Sequence, residues 1–428
     1  MCYPKIVRYS QRHHIDYLSF EEPPAMTASI SAIMNSLAEC SLPGPGVTRL
    51  PFTDQHRQAN AIITTLMEKA GLDVSLDDGG TLVGRRHGPE DAPTLLMGSH
   101  QDSVRNGGRF DGAMGIILPI LALTDLKDIE LPFAVEVLAF PDEEGVRFPT
   151  TLIGSRAIAG SFDMDVLSYH DADGISLGQA MQDFGLDPAH IPQLDRRNSR
   201  ILGFVEVHLE QGPILEDMNM PVGVVTSIAG VDRFTISITG VANHAGTIPM
   251  EKRKDALVAA SEMVLAVNRL ARESNGGKAT VGQLGVSPNA VNVIPGQVDM
   301  TLDIRFDNDA RRDQLGEDII TAMEAIAAEH GTEIVITKTY SQAVTPCDAV
   351  FREKLAEASR QVQPETMELS SGAFHDASAM ADLCSVGMLF VRCHEGISHH
   401  PDEMVEEEDM ARAVEVLKRF LLDLDPDN

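Results

Sequence analysis

Three histidines and a run of carboxylates mark where this sequence could do chemistry. His100-Gln101-Asp102 is followed, nine residues after Asp102, by Asp111 in the segment NGGRFDG. At a strand end, residues i and i+2 point to the same side, so Asp102 can reach the far nitrogen of His100 and fix its tautomer. Asp142-Glu143-Glu144-Gly145 places carboxylates side by side, with no basic residue before Arg147. Adjacent side chains diverge, so one can bind a metal while its neighbour accepts a proton from water, a division that metal-assisted hydrolysis requires. His208 in FVEVHLEQG and His399 in GISHHPDE lie at or near the ends of apolar runs. Singly, each piece also reads as a loop histidine, a helix-capping aspartate or a solvated acidic turn. Together, three histidines and two carboxylates suit zinc, manganese, cobalt or nickel, and a bridging carboxylate would let two ions each keep an open position.

These residues need a frame that gathers them. From about Ser29 to Gly145, helical segments alternate with short apolar runs, notably Thr94–His100 and Phe133–Phe140. Both runs read as buried strands, and both end directly in polar residues. In α/β sheets, ligands collect outside the carboxyl ends of the strands, so this is where a site is expected. The apolar stretch Gly112–Leu123 contains Pro119 and is too short for a membrane span, which needs roughly 18 residues; it reads as a buried helix.

The texture changes near Gly230. Phe234, Ile236 and Ile238 alternate with Thr235, Ser237 and Thr239, as in a half-buried antiparallel strand. An amphipathic helix follows, with Ala256, Leu257, Ala260, Met263, Val264, Val267, Leu270 and Ala271 on one face. The pattern then predicts a strand over Met300–Phe306, a helix over Arg311–His330 and a strand over Glu333–Tyr340. This α+β module is predicted to be inserted, because Ser385–Cys393 returns to a buried strand, and Glu406–Asp409 opens a final helix as its acidic first turn. The module carries its own polar set in Asn243, His244, Asn289, Asn292 and Arg305. Met300, Leu302, Ile304 and Phe306 share one strand face, which turns Arg305 away from the module's core. There it could clamp a substrate carboxylate bidentately, or pair on the surface with Asp303 or Asp307.

Composition bounds the partners. A net charge of −30 repels nucleic-acid phosphates and anionic membranes, so neither is an expected partner, while a small anionic substrate remains open to a local arginine. Five scattered cysteines without a C-x-x-C pair signal neither a disulfide framework nor a thiolate zinc site, which fits the cytoplasm. Residues 1–25 lack a secretory apolar core and read as a disordered extension.

The segments GSHQDSVRNGGRFDG, PDEEGVRF, VEVHLEQGP, NHAGTIPM, NVIPGQVDMTLDIR, SGAFHDA and ISHHPDE, in this order from about Met26 to the C-terminus, resemble the M20-type metallohydrolases. Within these the chain is most similar to the hydantoinase/carbamoylase amidases, which include N-carbamoyl-L-amino acid hydrolases, β-ureidopropionases and allantoate amidohydrolases. The resemblance implies an α/β catalytic domain with a mixed sheet flanked by helices, made of residues 26–229 and 342–428. An inserted α+β lid and dimerisation domain of residues 230–341 would interrupt it. It implies two divalent metal ions per subunit on His100, Asp111, Glu144, His208 and His399, with Asp111 bridging and His399 preferred to its neighbour His400. Glu143 matches the general base, and Asp102 counts with the catalytic residues through its support of His100. His244 matches a lid histidine that stabilises the transition state. Asn292 and Arg305 match the residues that hold a substrate carboxylate, and Gln211 lines the same cleft. The implied reaction is hydrolysis of a ureido or amide C–N bond in a small carboxylate substrate by a homodimer. A dipeptidase or N-acyl amino acid deacylase of the same class is the nearer alternative, and an inert small-molecule-binding protein on this scaffold is the other.

Overall fold

A computed structural model of the chain describes residues 29–363 and 365–426; the expected N-terminal extension lies outside the described residues. The chain divides into two compact units. Among the described residues, one contains the chain up to Thr226, Cys347–Leu369 and the chain from His375 onward; the other contains Ser227–Pro346 and Ser370–Phe374.

The first unit is built on a mixed sheet. Seven of its nine strands follow the order Asp73–Leu76, Leu82–Arg86, Ala134–Phe140, Thr94–His100, Ile201–Leu209, Val386–Val391 and Val222–Ile228. The middle four, from Ala134–Phe140 to Val386–Val391, are parallel, and their immediate neighbours Leu82–Arg86 and Val222–Ile228 are antiparallel to them. Thr94–His100 and Ala134–Phe140 are buried at every position, as continuous apolar runs between two helical layers must be. Helix Ala113–Asp125 is apolar almost all round and packs on this sheet. It can approach closely because Gly115 faces the backbone: a Cβ there would lie 2.1 Å from the Val207 carbonyl oxygen. The closing helix Glu407–Asp423 starts after Glu406, with Glu407, Glu408 and Asp409 in its first turn, where they complement the helix dipole.

The second unit is a layer of helix on an antiparallel sheet. Leu284–Ser287, Gln297–Phe306, Gly230–Thr239 and Glu333–Gln342 lie side by side, and Lys278–Thr280 also pairs with Gln297–Phe306. Phe234, Ile236, Ile238, Met300, Leu302, Ile304 and Phe306 cover one sheet face and meet Ala260, Met263, Ile319 and Met323 from helices Ala256–Glu273 and Asp309–His330. Asp255 and Asn308 cap the helices by accepting amides of their first turns. The strict alternation leaves Arg233, Asp303 and Arg305 on the opposite sheet face.

Candidate metal centre

The parallel strands of the first unit deliver their polar residues at one edge. His100 ends its strand and His208 is the penultimate residue of the neighbouring one, leaving their Nε2 atoms 3.5 Å apart. Asp111 Oδ1 lies 3.1 Å from His208 Nε2 and 3.7 Å from His100 Nε2. Its other oxygen is 3.2 Å from His399 Nε2, which stands 3.6 Å from Glu144 Oε1. Asp111 therefore sits between a His100/His208 side and a Glu144/His399 side. The donor atoms of His100, Asp111 and His208 lie within 4.8 Å of one another, as do those of Asp111, Glu144 and His399, and those of His100, Glu143 and Glu144.

Local backbone makes these approaches possible. Gly112 has φ +64°, and a Cβ there would lie 2.4 Å from the His100 ring, so only glycine lets the chain turn between Asp111 and the helix. His399 and Gln211 adopt φ of +57° and +56°, positions that cost side-chain-bearing residues roughly 1 to 3 kcal/mol and cluster at functional sites. The Gln211 amide donates to Ser398 Oγ at 3.1 Å and approaches Asp111 Oδ2 and His399 Nε2, each at 3.4 Å. His400 instead points to Asp402, whose amide donates to its Nδ1. Arg147 turns to Asp171 and to the carbonyls of Pro51 and Phe52. Arg392, close to His399 in sequence, is held by Asp409 and Asn219.

Asp102 does more than its spacing suggested. Its Oδ1 lies 3.4 Å from His100 Nδ1, and its carbonyl is nearer, at 3.1 Å. The carboxylate also accepts the amides of Glu143 and Glu144, at 3.0 and 3.2 Å, and so ties the two strand ends together. Glu403, which the motif reading left without a role, accepts from the Phe110 and Asp111 amides and from Ser398 Oγ. Behind the cluster, Glu206 accepts from Ser99 Oγ and the Ala377 amide, and the His375 ring meets the His208 ring edge-on at 4.5 Å.

This buried charge calls for a cation. Asp102, Asp111, Asp142, Glu143 and Asp376 are each 9% exposed or less. Burial, with neighbouring carboxylates, lifts the Glu143 carboxyl well above its usual range and Glu144 to about 7. Burial also drives up Asp142, with Asp102 and Asp376 adding repulsion. Burial opposes charge on His100 as well, but Asp102, Glu143 and Asp111 outweigh it and favour its protonated form. Hydrogen bonding to Asp111 takes His399 up to about 9. Glu144 Oε1 is buried with no hydrogen-bond partner, and with its histidine and aspartate neighbours the donor set fits hard-to-borderline divalent metals.

The remaining expected residues belong to the second unit. His244 and Val293 are partners in a short ladder, and the Ala245 amide donates to the Asn292 carbonyl, so His244 and Asn292 are neighbours. His244 Nδ1 accepts the Gly246 amide at 3.0 Å, which leaves the proton of the neutral ring on its exposed Nε2. Asn243 and Asn289 are exposed. Arg305 donates from Nε to Asp303 Oδ1 at 2.8 Å and from Nη1 to the Gly372 carbonyl at 2.7 Å, so the pairing with Asp303 weighed from sequence is present.

Residues 96–423 match the family model described as peptidase family M20/M25/M40. The chain is 40% identical over 378 residues to an N-carbamoyl-L-amino acid amidohydrolase of Geobacillus stearothermophilus, covering 88% of this chain and 92% of that one. It is 37% identical over 400 residues to an allantoate deiminase of Arabidopsis thaliana, covering 85% and 76% respectively. A crystal structure of a hydantoinase/carbamoylase family amidase from Burkholderia multivorans superposes with a TM-score of 0.85 at 33% identity, over 92% of this chain and 96% of that one.

Proposed function

The chain belongs to the M20/M25/M40 family and, within it, to the hydantoinase/carbamoylase amidases, and on that premise we propose that it hydrolyses the ureido C–N bond of a small N-carbamoyl carboxylate or of allantoate. The reading rests above all on five ligand-capable side chains converging at the strand ends of a chain whose relatives, along nearly its whole length, are named for this chemistry.

Two divalent ions, zinc or else manganese, cobalt or nickel, would be held by His100, Asp111, Glu144, His208 and His399, with Asp111 shared between them. When bound, they supply positive charge that polarises the ureido carbonyl and makes water more acidic. Glu143 accepts a proton from the attacking water and delivers it to the leaving nitrogen as the C–N bond breaks. Its burial suits this, because a carboxyl made more basic by burial accepts a proton from water more readily than an exposed one. Asp102 keeps His100 oriented and holds the turn that carries Glu143. From the second unit, His244 would stabilise the developing oxyanion by a hydrogen bond donated from its Nε2–H, while Asn292 and Arg305 would grip the substrate carboxylate; Gln211 would line the cleft. We further propose that this unit is the family's lid and dimerisation domain, that the active form is a homodimer, and that it works in the cytoplasm. Among the described residues, no helix is long and apolar enough to cross a membrane.

The test is ammonia release from allantoate, N-carbamoyl-β-alanine and N-carbamoyl-L-amino acids, with each metal supplied in turn. Turnover of at least one ureido substrate is expected. Hydrolysis confined to dipeptides or N-acyl amino acids would overturn the reading.

A further inference from the structure

Arg305 is not a free cation waiting for an anion. Asp303 takes one edge of its guanidinium, with Nε to Oδ1 at 2.8 Å and Nη2 to Oδ2 at 3.3 Å, and the Gly372 carbonyl takes Nη1. A second arginine competes for the same carboxylate: Arg233 Nε donates to Asp303 Oδ2 at 3.0 Å. Both guanidiniums lie over the Phe374 ring, at 5.7 Å for Arg233 and 5.5 Å for Arg305, and Arg233 also lies over Tyr340. All of these groups belong to the second unit.

On the reading that Arg305 meets the substrate carboxylate, we propose that Asp303 and Arg233 are positioning residues that hold its guanidinium ready for bidentate capture. Asp303, the Gly372 carbonyl and the Phe374 ring fix the plane and rotation of the guanidinium. They leave one N–H on each of Nη1 and Nη2 without a protein partner among the described residues. Two N–H groups on a rigid fork match the two oxygens of one carboxylate. A long, flexible side chain loses rotamer freedom when a ligand immobilises it, and here that freedom is already gone before binding.

Arg233 keeps Asp303 from cancelling the charge that the substrate needs. Asp303 shares its single negative charge between two guanidiniums, and Arg233 claims the oxygen to which Arg305 makes its longer contact. Burial opposes ionisation of Asp303, yet the two arginines hold its carboxyl below the usual range, so it stays a charged anchor. Lys278 stands opposite Arg305 in strand register and adds a third basic residue to this part of the sheet. The patch is locally positive on a chain of net charge −30, which favours one carboxylate-bearing ligand at this spot.

The experiment compares steady-state kinetics of Asp303→Asn, Asp303→Glu, Arg233→Gln and Arg305→Ala on two substrates. These are whichever of N-carbamoyl-L-alanine, N-carbamoyl-β-alanine and allantoate is turned over fastest, and the same molecule with its carboxylate replaced by a primary carboxamide. For Asp303→Asn and Arg233→Gln, KM for the carboxylate should rise about tenfold, the size of one charge-assisted hydrogen bond, with kcat within twofold. Neither change should alter kinetics on the carboxamide by more than twofold, and Asp303→Glu should recover part of the loss. If Asp303→Asn weakens both substrates equally, or neither, the positioning role is overturned while the clamp assignment stands on Arg305→Ala. If Arg305→Ala itself does not separate carboxylate from carboxamide, the clamp assignment is the one that fails.

Discussion

At the residue scale, the two neighbours Glu143 and Glu144 have the same chemistry and different surroundings. Glu144 faces Asp111 and His399 with a buried oxygen that has no hydrogen-bond partner, as the proposed ligand role requires. Glu143 is also buried, and its amide is pinned by Asp102. Replacing Glu143 by Gln should lower kcat by about 10²- to 10⁴-fold, the usual contribution of a general base, while metal content stays at the wild-type level. Metal analysis alongside stopped assays checks this; near-normal turnover at full occupancy would remove Glu143 from the mechanism. Arg305→Ala should act differently, raising KM for carboxylate substrates roughly 10- to 100-fold through loss of a charged contact. An unchanged KM would count against the clamp.

At the scale of elements, the site depends on loops being fastened to one another. Glu403 follows His399 on the same loop and accepts the amides of Phe110 and Asp111 together with Ser398 Oγ. One carboxylate thus sets the distance between two expected ligands carried by separate parts of the chain. Glu403→Ala would leave two buried amides without an acceptor, and outer groups of this kind typically change metal affinity by 10- to 100-fold. Competition with a chelator should reveal that loss; affinity within twofold of wild type would mean that the loop holds itself. In the second unit, Ile304 is fully buried in the sheet–helix core, so Ile304→Ala should cost about 2 to 5 kcal/mol of that unit's stability. Hydrogen exchange across Gly230–Thr239 and Asp309–His330 would locate the effect.

At the scale of the whole molecule, metal and proton compete for the same cluster. His399, with its pKa raised to about 9, contributes stability below its ordinary value of 6.5 and loses it as pH climbs through 9. Glu144, raised to about 7, likewise binds its proton more tightly when folded, and that contribution fades between its ordinary 4.5 and 7. Metal-free protein should therefore lose stability from these groups as pH rises from about 4.5 to 9. Metal, which needs both groups deprotonated, should bind more tightly over the same range and release protons as it does. Calorimetric titration in buffers of different ionisation enthalpy measures those protons, and a pH-independent affinity would contradict the shared site. Chelation should abolish turnover and lower Tm, since a ligand at roughly a thousand times its Kd stabilises the folded state by about 4 kcal/mol. Restoring a divalent ion should recover both.

Much of this arrangement was legible because it is local. Apolar runs such as Thr94–His100 read as buried strands, and alternation over Met300–Phe306 turns Arg305 away from the core without reference to any other segment. Chemistry-bearing residues directly after such runs mark strand ends, and this is where His100, Glu143, Glu144 and His208 lie. Strand register was not legible, and it is register that sets His208 beside His100. Nor were the partners that arrive from far along the chain: Glu403 binds an amide 292 residues away, and Ser370–Phe374 leaves the returning chain to join the second unit. The sequence by itself determined which elements form and which residue types stand at their ends, because periodicity and burial act over a few residues. Only the tertiary structure decided which of those ends meet, because that follows from strand order, from the turn that glycine permits at Gly112, and from hydrogen bonds between segments with no local reason to be neighbours.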